Sequence, residues 1–184
     1  HDTANVRLSN ITMSDNAVVD DMIHIVYGRD VTLEDFRLSN AVADAIDVDI
    51  SDVSILRGRI AGSGNDAIDL MSAKAVIARM DISTSDDKGV SVGEASRAVI
   101  IDTVLRENDI GVESKDASEV QILHSELLAN RVQVSAYQKN WRYGGGGTID
   151  IRKSVVTGPL TDLKAGRRSR ISISDSTVFP MPQS

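Results

Sequence analysis

Apolar and polar residues alternate along this chain in a motif that repeats about every 22 residues. The motif begins with two apolar residues separated by one other residue. Its eight first residues, which we call the openings, are Val6, Val31, Val53, Ala75, Ala98, Val120, Ile149 and Ile171. Alternation with a period of two is the signal of a strand with one buried face. A repeat of fixed length in this range is typical of a solenoid. The pattern therefore predicts stacked coils in which each opening begins a short strand.

Each repeat contains two further short apolar segments. The second follows five residues after the opening, as at Phe36 and Leu38, and the third begins about fifteen residues in, as at Ile46 and Val48. Asn, Asp, Ser and Gly lie between the segments and favour turns. No stretch of a dozen residues keeps a helical period. Three short strands per repeat predict an all-β fold, a single-stranded parallel β-helix of about eight coils, which forms one domain over residues 1–184.

Four asparagines follow their coil openings by nine or ten residues: Asn16, Asn40, Asn108 and Asn130. Stacked amides can bond one another from coil to coil. The spacing therefore predicts an asparagine ladder along one corner of the column.

The chain carries a net charge of −7, which is concentrated in its first half. Residues 1–95 contain 17 acidic and 8 basic side chains, whereas residues 96–184 contain 10 acidic and 12 basic ones. Nucleic acid is an unsuitable partner for so acidic a chain, because phosphates would repel it. The asymmetry fits a metal site in the first half and an anionic ligand near the second.

The chain contains no cysteine and no run of 18 apolar residues, so we expect neither disulfides nor a membrane span. It begins with His1 rather than Met, and no recognisable cap precedes the first coil at Val6. An uncapped solenoid end is an aggregation hazard. We therefore expect the chain to be part of a longer protein, whose remaining sequence or a partner covers this end.

Acidic residues fall at matching positions of successive third strands. One predicted row contains Asp44, Asp66 and Lys88, and a second contains Asp47, Asp69, Ser91 and Glu113. Asp21 and His24 would extend these rows downward, although His24 and His124 are isolated in sequence and are interpreted as surface or ladder residues. Stacked carboxylates repel one another and need compensation. Calcium, which prefers oxygen ligands, would supply it at Asp44, Asp47, Asp66 and Asp69. The alternative is a set of solvated turn carboxylates partly neutralised by Lys88.

Two lysines next to these rows are candidate catalytic residues. Lys88 could act as a general base if its pKa were lowered, whereas surrounding carboxylates would raise the pKa and favour a salt bridge. Lys115, one coil further on, has the same ambiguity. Ser91 and Ser96 have no histidine nearby in sequence, so a nucleophilic triad is not supported.

The gap of 29 residues between Val120 and Ile149 predicts an inserted aromatic and glycine-rich loop at residues 137–147. The loop contains the candidate substrate-binding residues Tyr137, Lys139, Trp141, Arg142 and Tyr143. Aromatic rings beside cations suit sugar rings and their carboxylates. The alternative is that the aromatic side chains pack down onto the column.

The coils resemble the right-handed parallel β-helix superfamily of pectate lyases, alginate lyases and mannuronan epimerases. The segments 65–69, 87–96 and 112–118 are also similar to bacterial cell-surface β-helix proteins, which implies an extracellular, cell-surface or periplasmic location. The positions of Asp44, Asp66, Asp69 and Lys88 are similar to those of lyases that hold Ca²⁺ with aspartates and use a lysine as the base. Ala67 departs from that pattern, because a second acid follows the first in the family.

Three functional hypotheses remain from the sequence. The first is a Ca²⁺-assisted lyase or epimerase acting on an acidic, uronate-containing polysaccharide, with Lys88 as the base. The second is a carbohydrate-binding or cell-surface module without catalysis. The third is a structural β-helix segment of a larger protein, because this fold also serves without enzymatic activity.

Overall fold

The computed structural model describes residues 3–158 and 163–179, and within these ranges the chain forms 21 short strands and one 3₁₀ turn. The strands are β1 Thr3–Ser9, β2 Thr12–Asn16, β3 Ile23–Val26, β4 Gly28–Ala41, β5 Ile46–Asp49, β6 Asp52–Ser63, β7 Ile68–Met71, β8 Lys74–Ala78, β9 Asp81–Ser83, β10 Lys88–Gly93, β11 Arg97–Ile101, β12 Val104–Arg106, β13 Ile110–Lys115, β14 Glu119–Leu123, β15 Glu126–Leu128, β16 Val132–Tyr137, β17 Thr148–Arg152, β18 Val155–Thr157, β19 Leu163–Ala165, β20 Arg170–Ser174 and β21 Thr177–Phe179. The 3₁₀ turn η1 is Trp141–Tyr143. The prediction of one domain over residues 1–184 also includes residues 1, 2, 159–162 and 180–184, which lie outside the described ranges.

The strands form two parallel sheets that enclose one apolar interior. The seven-stranded sheet has the order β19-β16-β13-β10-β7-β5-β3. The 14-stranded sheet contains the first and second strands of each coil, and the long strands β4 and β6 run through both of its halves. No helix within the described residues is long and apolar enough to cross a membrane.

The register confirms the repeat predicted from sequence. The eight openings pair with one another in order, from Val6 with Val31 to Ile149 with Ile171. In the seven-stranded sheet, Ile46, Ile68 and Val90 pair in the same way and are 0% exposed. The structure is therefore a parallel β-solenoid of about eight coils, because each coil places its apolar pairs directly above those of the coil below.

The corners depend on single residues in the left-handed backbone region. The residue four positions after each opening has a φ between 49° and 58°, at Asn10, Asp35, Arg57, Arg79, Asp102, His124, Lys153 and Asp175. Only Asn, Asp and Gly adopt this conformation readily. The basic residues in this set show that stacking of the coils overrides local preference.

The predicted asparagine ladder is only partly present. Asn108 Nδ2 donates to Asn130 Oδ1 at 2.9 Å. Asn40 instead lies at a corner with φ 55° and donates to Asp15 Oδ1, while Asn16 pairs with Ala41. The prediction was wrong for Asn16 and Asn40. Asn16 follows its coil opening by ten residues and Asn40 by nine, so the two side chains lie at different positions of their coils.

Candidate functional site

A first row of polar side chains lies at the corner that precedes the seven-stranded sheet. The backbone N–H groups of Met22, Ala45 and Ala67 donate to the carbonyls of the residue one coil up, at distances of 3.1, 3.1 and 2.8 Å. The acceptors are Asp44, Asp66 and Lys88, and the donors directly follow Asp21, Asp44 and Asp66 in sequence. Asp21, Asp44, Asp66 and Lys88 therefore stack above one another, and we call these four residues the corner row. The row predicted from sequence is present, and Asp21 extends it downward.

A second row lies on the outer surface of the seven-stranded sheet itself. The register pairs His24 with Asp47, Asp47 with Asp69, Asp69 with Ser91, and Ser91 with Glu113. These five residues are the strand row. Neighbouring strands are about 4.8 Å apart, so its carboxylates lie close together along the column.

The carboxylates of the corner row cap the backbone of the coil above. Asp44 Oδ1 accepts from the N–H of Asp66 at 2.8 Å and from Asn65 Nδ2 at 2.8 Å. Asp66 Oδ1 accepts from the N–H of Lys88 at 3.0 Å. Burial raises the pKa of Asp44 and raises the pKa of Asp66 to about 7, although the Lys88 cation opposes the shift at Asp66. Asp44 and Asp66 of the corner row therefore have a structural role.

Lys88 closes the upper end of the corner row. Its side chain is 12% exposed, and its Nζ lies 3.5 Å from Asp66 Oδ1 and donates to Asp87 Oδ2. Burial alone would lower the pKa of Lys88, but the hydrogen bond to Asp87 and the charges of Asp66 and Glu113 outweigh it and raise that pKa. A lysine in this environment stays protonated. The geometry favours the ion-pair interpretation of Lys88 over that of a general base.

Lys115 lies one coil higher and folds down onto the strand row. Its Nζ is 2.9 Å from Ser91 Oγ and 3.9 Å from Glu113 Oε1. Gly93 gives it room, since a Cβ at that position would lie 2.7 Å from the Lys115 Cε. Lys88 and Lys115 therefore each lie against a carboxylate of the two rows.

Glu113 and Tyr137 complete this upper cluster, which we define as Lys88, Ser91, Glu113, Lys115 and Tyr137. Burial raises the pKa of Glu113, and burial together with the Glu113 charge raises the pKa of Tyr137 to about 12. Glu113 Oε1 is buried and has no hydrogen-bond partner. Glu113 was placed in the row from sequence but was not chosen as a site residue, because its contact with Tyr137 depends on side-chain packing.

The inserted loop begins at Tyr137 and rises beside the upper cluster. Asp116, which is 1% exposed, anchors it by accepting from the N–H groups of Lys139 and Asn140 at 2.7 and 2.6 Å. The loop then forms η1, capped by Asn140 and by Gly144 at φ 72°. Trp141 is 80% exposed. This tryptophan does not pack down onto the column and remains available to a ligand.

The other predicted loop residues lie at different depths. Lys139 and Arg142 are exposed, whereas Tyr137 and Tyr143 are half-buried. Tyr137 alone of this set belongs to the upper cluster. The loop therefore supplies exposed cations and an exposed ring directly after Tyr137, which pairs in register with Lys115.

The lower end of both rows is closed by a histidine. Asp21, His24 and Asp47 bring ligand atoms within 4.8 Å of one another, and His24 Nε2 lies 3.2 Å from Asp47 Oδ2 and 3.1 Å from Asp49 Oδ2. The hydrogen bond to Asp49 raises the pKa of His24. Burial and the neighbouring Asp49 raise the pKa of Asp47 to about 6. The sequence interpretation of His24 as an isolated residue missed this cluster, because its partners lie one coil away.

The four predicted calcium ligands lie on adjacent coils, but they do not offer equivalent oxygens. Asp44 and Asp66 each use an oxygen to cap the backbone, and Asp66 also pairs with Lys88. Asp69 Oδ1 is buried without a partner. Calcium takes six to eight oxygens, and in this arrangement the four aspartates do not fit that requirement. Calcium at these residues stays a prediction.

Two solved structures share the architecture of this chain. The mannuronan C-5 epimerase AlgE6 A-module of Azotobacter vinelandii is 14% identical with a TM-score of 0.76, over 98% of this chain and 59% of that module. The mannuronan C-5 epimerase AlgE4 A-module of the same organism is 11% identical with a TM-score of 0.55, over 100% of this chain and 72% of that module. At these identities the likeness shows the fold alone.

No curated protein matches this sequence. The family of right-handed β-helix regions, by contrast, matches residues 1–158, which is most of the chain. That match agrees with the parallel coils and with the resemblance to the pectate lyase-like superfamily inferred from sequence. The chain belongs to the right-handed β-helix family.

Proposed function

We propose that this protein is a carbohydrate-active β-helix that acts on an acidic, uronate-containing polysaccharide at the upper cluster. The observation that carries the proposal is the placement of Lys88 and Lys115 on one outer surface, each beside a carboxylate. Lys115 also pairs in register with Tyr137, which begins the loop that exposes Trp141. The likeness to two mannuronan C-5 epimerase modules supports the same class of substrate.

The charges of the upper cluster suit a uronate carboxylate. Lys88 is held in its protonated form by Asp66 and Asp87, and Lys115 Nζ lies against the neutral Ser91 hydroxyl. A sugar carboxylate that approaches Lys115 would meet an ammonium group whose contact with Glu113 Oε1, at 3.9 Å, is long. Neutralising the substrate carboxylate lowers the energy of the enolate-like charge that forms when the neighbouring proton leaves.

Glu113 and the residues around it are the groups that would transfer protons. Tyr137 holds its phenolic proton at neutral pH, because burial and the Glu113 charge raise its pKa, while Glu113 Oε1 has no hydrogen-bond partner. Lyase and epimerase reactions both start with removal of the proton next to the carboxylate, and both require a second group to donate a proton. We assign Lys88 to charge stabilisation, the Glu113 carboxylate to removal of this proton as the base, and the Lys115 ammonium and the Tyr137 phenol to donation of the second proton.

The loop would bind the sugar chain next to the reacting residue. Trp141 offers an exposed ring, and Lys139 and Arg142 offer exposed cations on the same loop. A sugar ring stacks on an aromatic face while its carboxylate contacts a nearby cation. This arrangement gives the loop a role in substrate binding and none in the chemical step.

A second candidate is a carbohydrate-binding surface without catalysis. It is favoured by the burial of the two lysines, whose side chains are each 12% exposed, and by the pairing of Lys88 with two carboxylates. In this case the loop and the lysines would still bind a uronate polymer, but no proton would be exchanged.

The experiment that separates the two candidates is proton exchange on uronate polymers in deuterated water. An epimerase would place deuterium next to the carboxylate, and a lyase would create unsaturated chain ends that absorb in the ultraviolet. Lys115→Ala and Tyr137→Phe should each reduce turnover at least about a hundredfold, the usual range for a lost acid or base. The matched control is Lys74→Ala, since Lys74 is an exposed lysine elsewhere on the column, with a side chain 73% exposed.

Binding of the polymer without deuterium incorporation or unsaturated ends would leave the binding surface as the function. Absence of both binding and turnover across mannuronate, guluronate and galacturonate polymers would contradict the proposal.

A further inference from the structure

We propose that Asp21, His24 and Asp47, at the lower end of the two rows, form a binding site for a zinc-class divalent transition metal. The site is separate from the upper cluster and does not depend on the proposed carbohydrate activity. It combines one imidazole nitrogen with carboxylate oxygens from two adjacent coils.

The distances already match those between the ligands of one ion. Ligand atoms about 2.1 Å from a tetrahedral zinc ion stand about 3.4 Å apart. His24 Nε2 lies 3.2 Å from Asp47 Oδ2, and one ligand atom each of Asp21, His24 and Asp47 lie within 4.8 Å of one another. Small side-chain rotations would bring these atoms around a single ion without moving the backbone.

Asp49 provides a fourth donor or an orienting partner. Its Oδ2 lies 3.1 Å from His24 Nε2, and the residue pairs in register with Val26 at the end of β3. The side chains of Asp47 and Asp49 are only 19% and 18% exposed, whereas that of His24 is 45% exposed. The carboxylates are therefore held by the sheet, and the open side of the site faces solvent.

The negative charge of the stacked carboxylates also favours a cation at this position. Asp47 stacks directly on Asp69, whose buried Oδ1 has no hydrogen-bond partner, and both lie in the strand row. Lys88 compensates only the upper end of the corner row. Stacked carboxylates repel one another at this spacing, so a divalent ion at the lower end would relieve repulsion that His24 alone offsets only when it is protonated.

The donor set selects the class of ion. Imidazole nitrogen suits zinc and its neighbours in the first transition series, whereas calcium and magnesium prefer oxygen ligands throughout. Zinc binds both histidine nitrogen and aspartate oxygen, the two donor types that these residues offer. A calcium site at these residues would leave the histidine nitrogen without a function.

The test is titration of the metal-free protein with zinc at about pH 8, followed by calorimetry. Cobalt serves as a second probe, because its visible absorption reports the coordination of the bound ion. We expect one saturable site per chain. His24→Ala and Asp47→Asn should each weaken it at least tenfold. The matched control is His124→Ala: His124 Nδ1 faces a single carboxylate, Asp102, at 3.9 Å, so this change should leave the affinity unchanged.

Two results would overturn the site. The first is zinc binding that survives His24→Ala, which would place the ion elsewhere. The second is absence of saturable binding in a wild-type protein whose thermal unfolding shows that it is folded. Calcium binding tighter than zinc at the same residues would equally contradict the proposed class of ion.

Discussion

At the two ends of the acidic rows, different cations offset the repulsion between stacked carboxylates. At the upper end, Lys88 is almost buried and pairs with Asp66 and Asp87. At the lower end, His24 is nearly half exposed and lies against Asp47 and Asp49. The carboxylates between them stack in the same register. The ends differ in one property, since a lysine carries its charge permanently and a histidine can lose its charge near neutral pH.

This difference separates a fixed structural charge from an exchangeable one. A protonated Lys88 stabilises the column at any physiological pH and adds positive potential beside Lys115. His24 can exchange its proton for a metal ion, because a neutral imidazole is a ligand. The upper end is therefore suited to binding an anionic substrate, and the lower end to binding a cation.

The largest expected effect comes from removing the permanent charge. Lys88→Met should lower the free energy of unfolding by about 3 kcal/mol at pH 8, because it leaves the buried Asp66 carboxylate without its counterion. The measurement is denaturant unfolding monitored by circular dichroism. Lys74→Met is the matched control, since Lys74 Nζ lies 3.9 Å from Asp52 Oδ1 on the exposed surface and should cost less than about 0.5 kcal/mol.

The same experiment on His24→Gln tests the contrast between the ends. His24 is nearly half exposed, so this variant should unfold within about 0.5 kcal/mol of the wild type in chelator. An equal loss of stability in Lys88→Met and His24→Gln would mean that the two ends are equivalent.

A smaller effect should appear in the pH dependence of stability at the upper end. Burial raises the pKa of Asp66 to about 7 in the folded state, from an ordinary value of about 3.9 in the unfolded chain. The folded protein thus binds more protons than the unfolded chain between these values, and stability falls as the pH rises from about 4 to 7. Asp66→Asn should reduce this fall by about 2 kcal/mol, as measured by unfolding at several pH values.

Asp52→Asn is the control for this measurement, because the Asp52 side chain is 56% exposed. Its stability profile should follow that of the wild type throughout. An Asp66→Asn profile as steep as that of the wild type would show that other carboxylates set the pH dependence.

The register of the rows was predictable from sequence, whereas the roles of their ends were not. Alternating Ile and Val residues at a spacing of 22 or 23 define each strand, and a shift of one residue would expose the whole apolar set. Asp66 and Asp69 therefore follow directly from the positions of Ile68 and Leu70. The same logic failed at the corners, where Arg57 and Lys153 adopt the left-handed conformation without any local sequence signal.

The side-chain contacts could not be read from spacing alone. The sequence left Lys88 open between a base and an ion pair, and only the orientation of its ammonium group toward Asp87 favours the ion pair. His24 lies in a first coil that is longer than the next by three residues, which obscured its register with Asp47. Tyr137 was assigned to the loop, but its hydroxyl lies beside Glu113 on the sheet.

The smallest effect concerns which end the sugar chain occupies. Trp141 lies on the loop that follows Tyr137 of the upper cluster and is 80% exposed, whereas Tyr27 follows β3 at the lower end and is 53% exposed. Trp141→Ala should weaken binding of a uronate oligosaccharide by about 1 kcal/mol, or about fivefold, which is the range for one aromatic contact. Calorimetry would measure the affinity, and the melting temperature should not change because the ring packs against nothing that folding requires. Tyr27→Ala should leave the affinity unchanged. A loss of affinity confined to Tyr27→Ala would move the glycan to the lower end, where the stacked carboxylates would repel it unless a bound metal ion bridged the two.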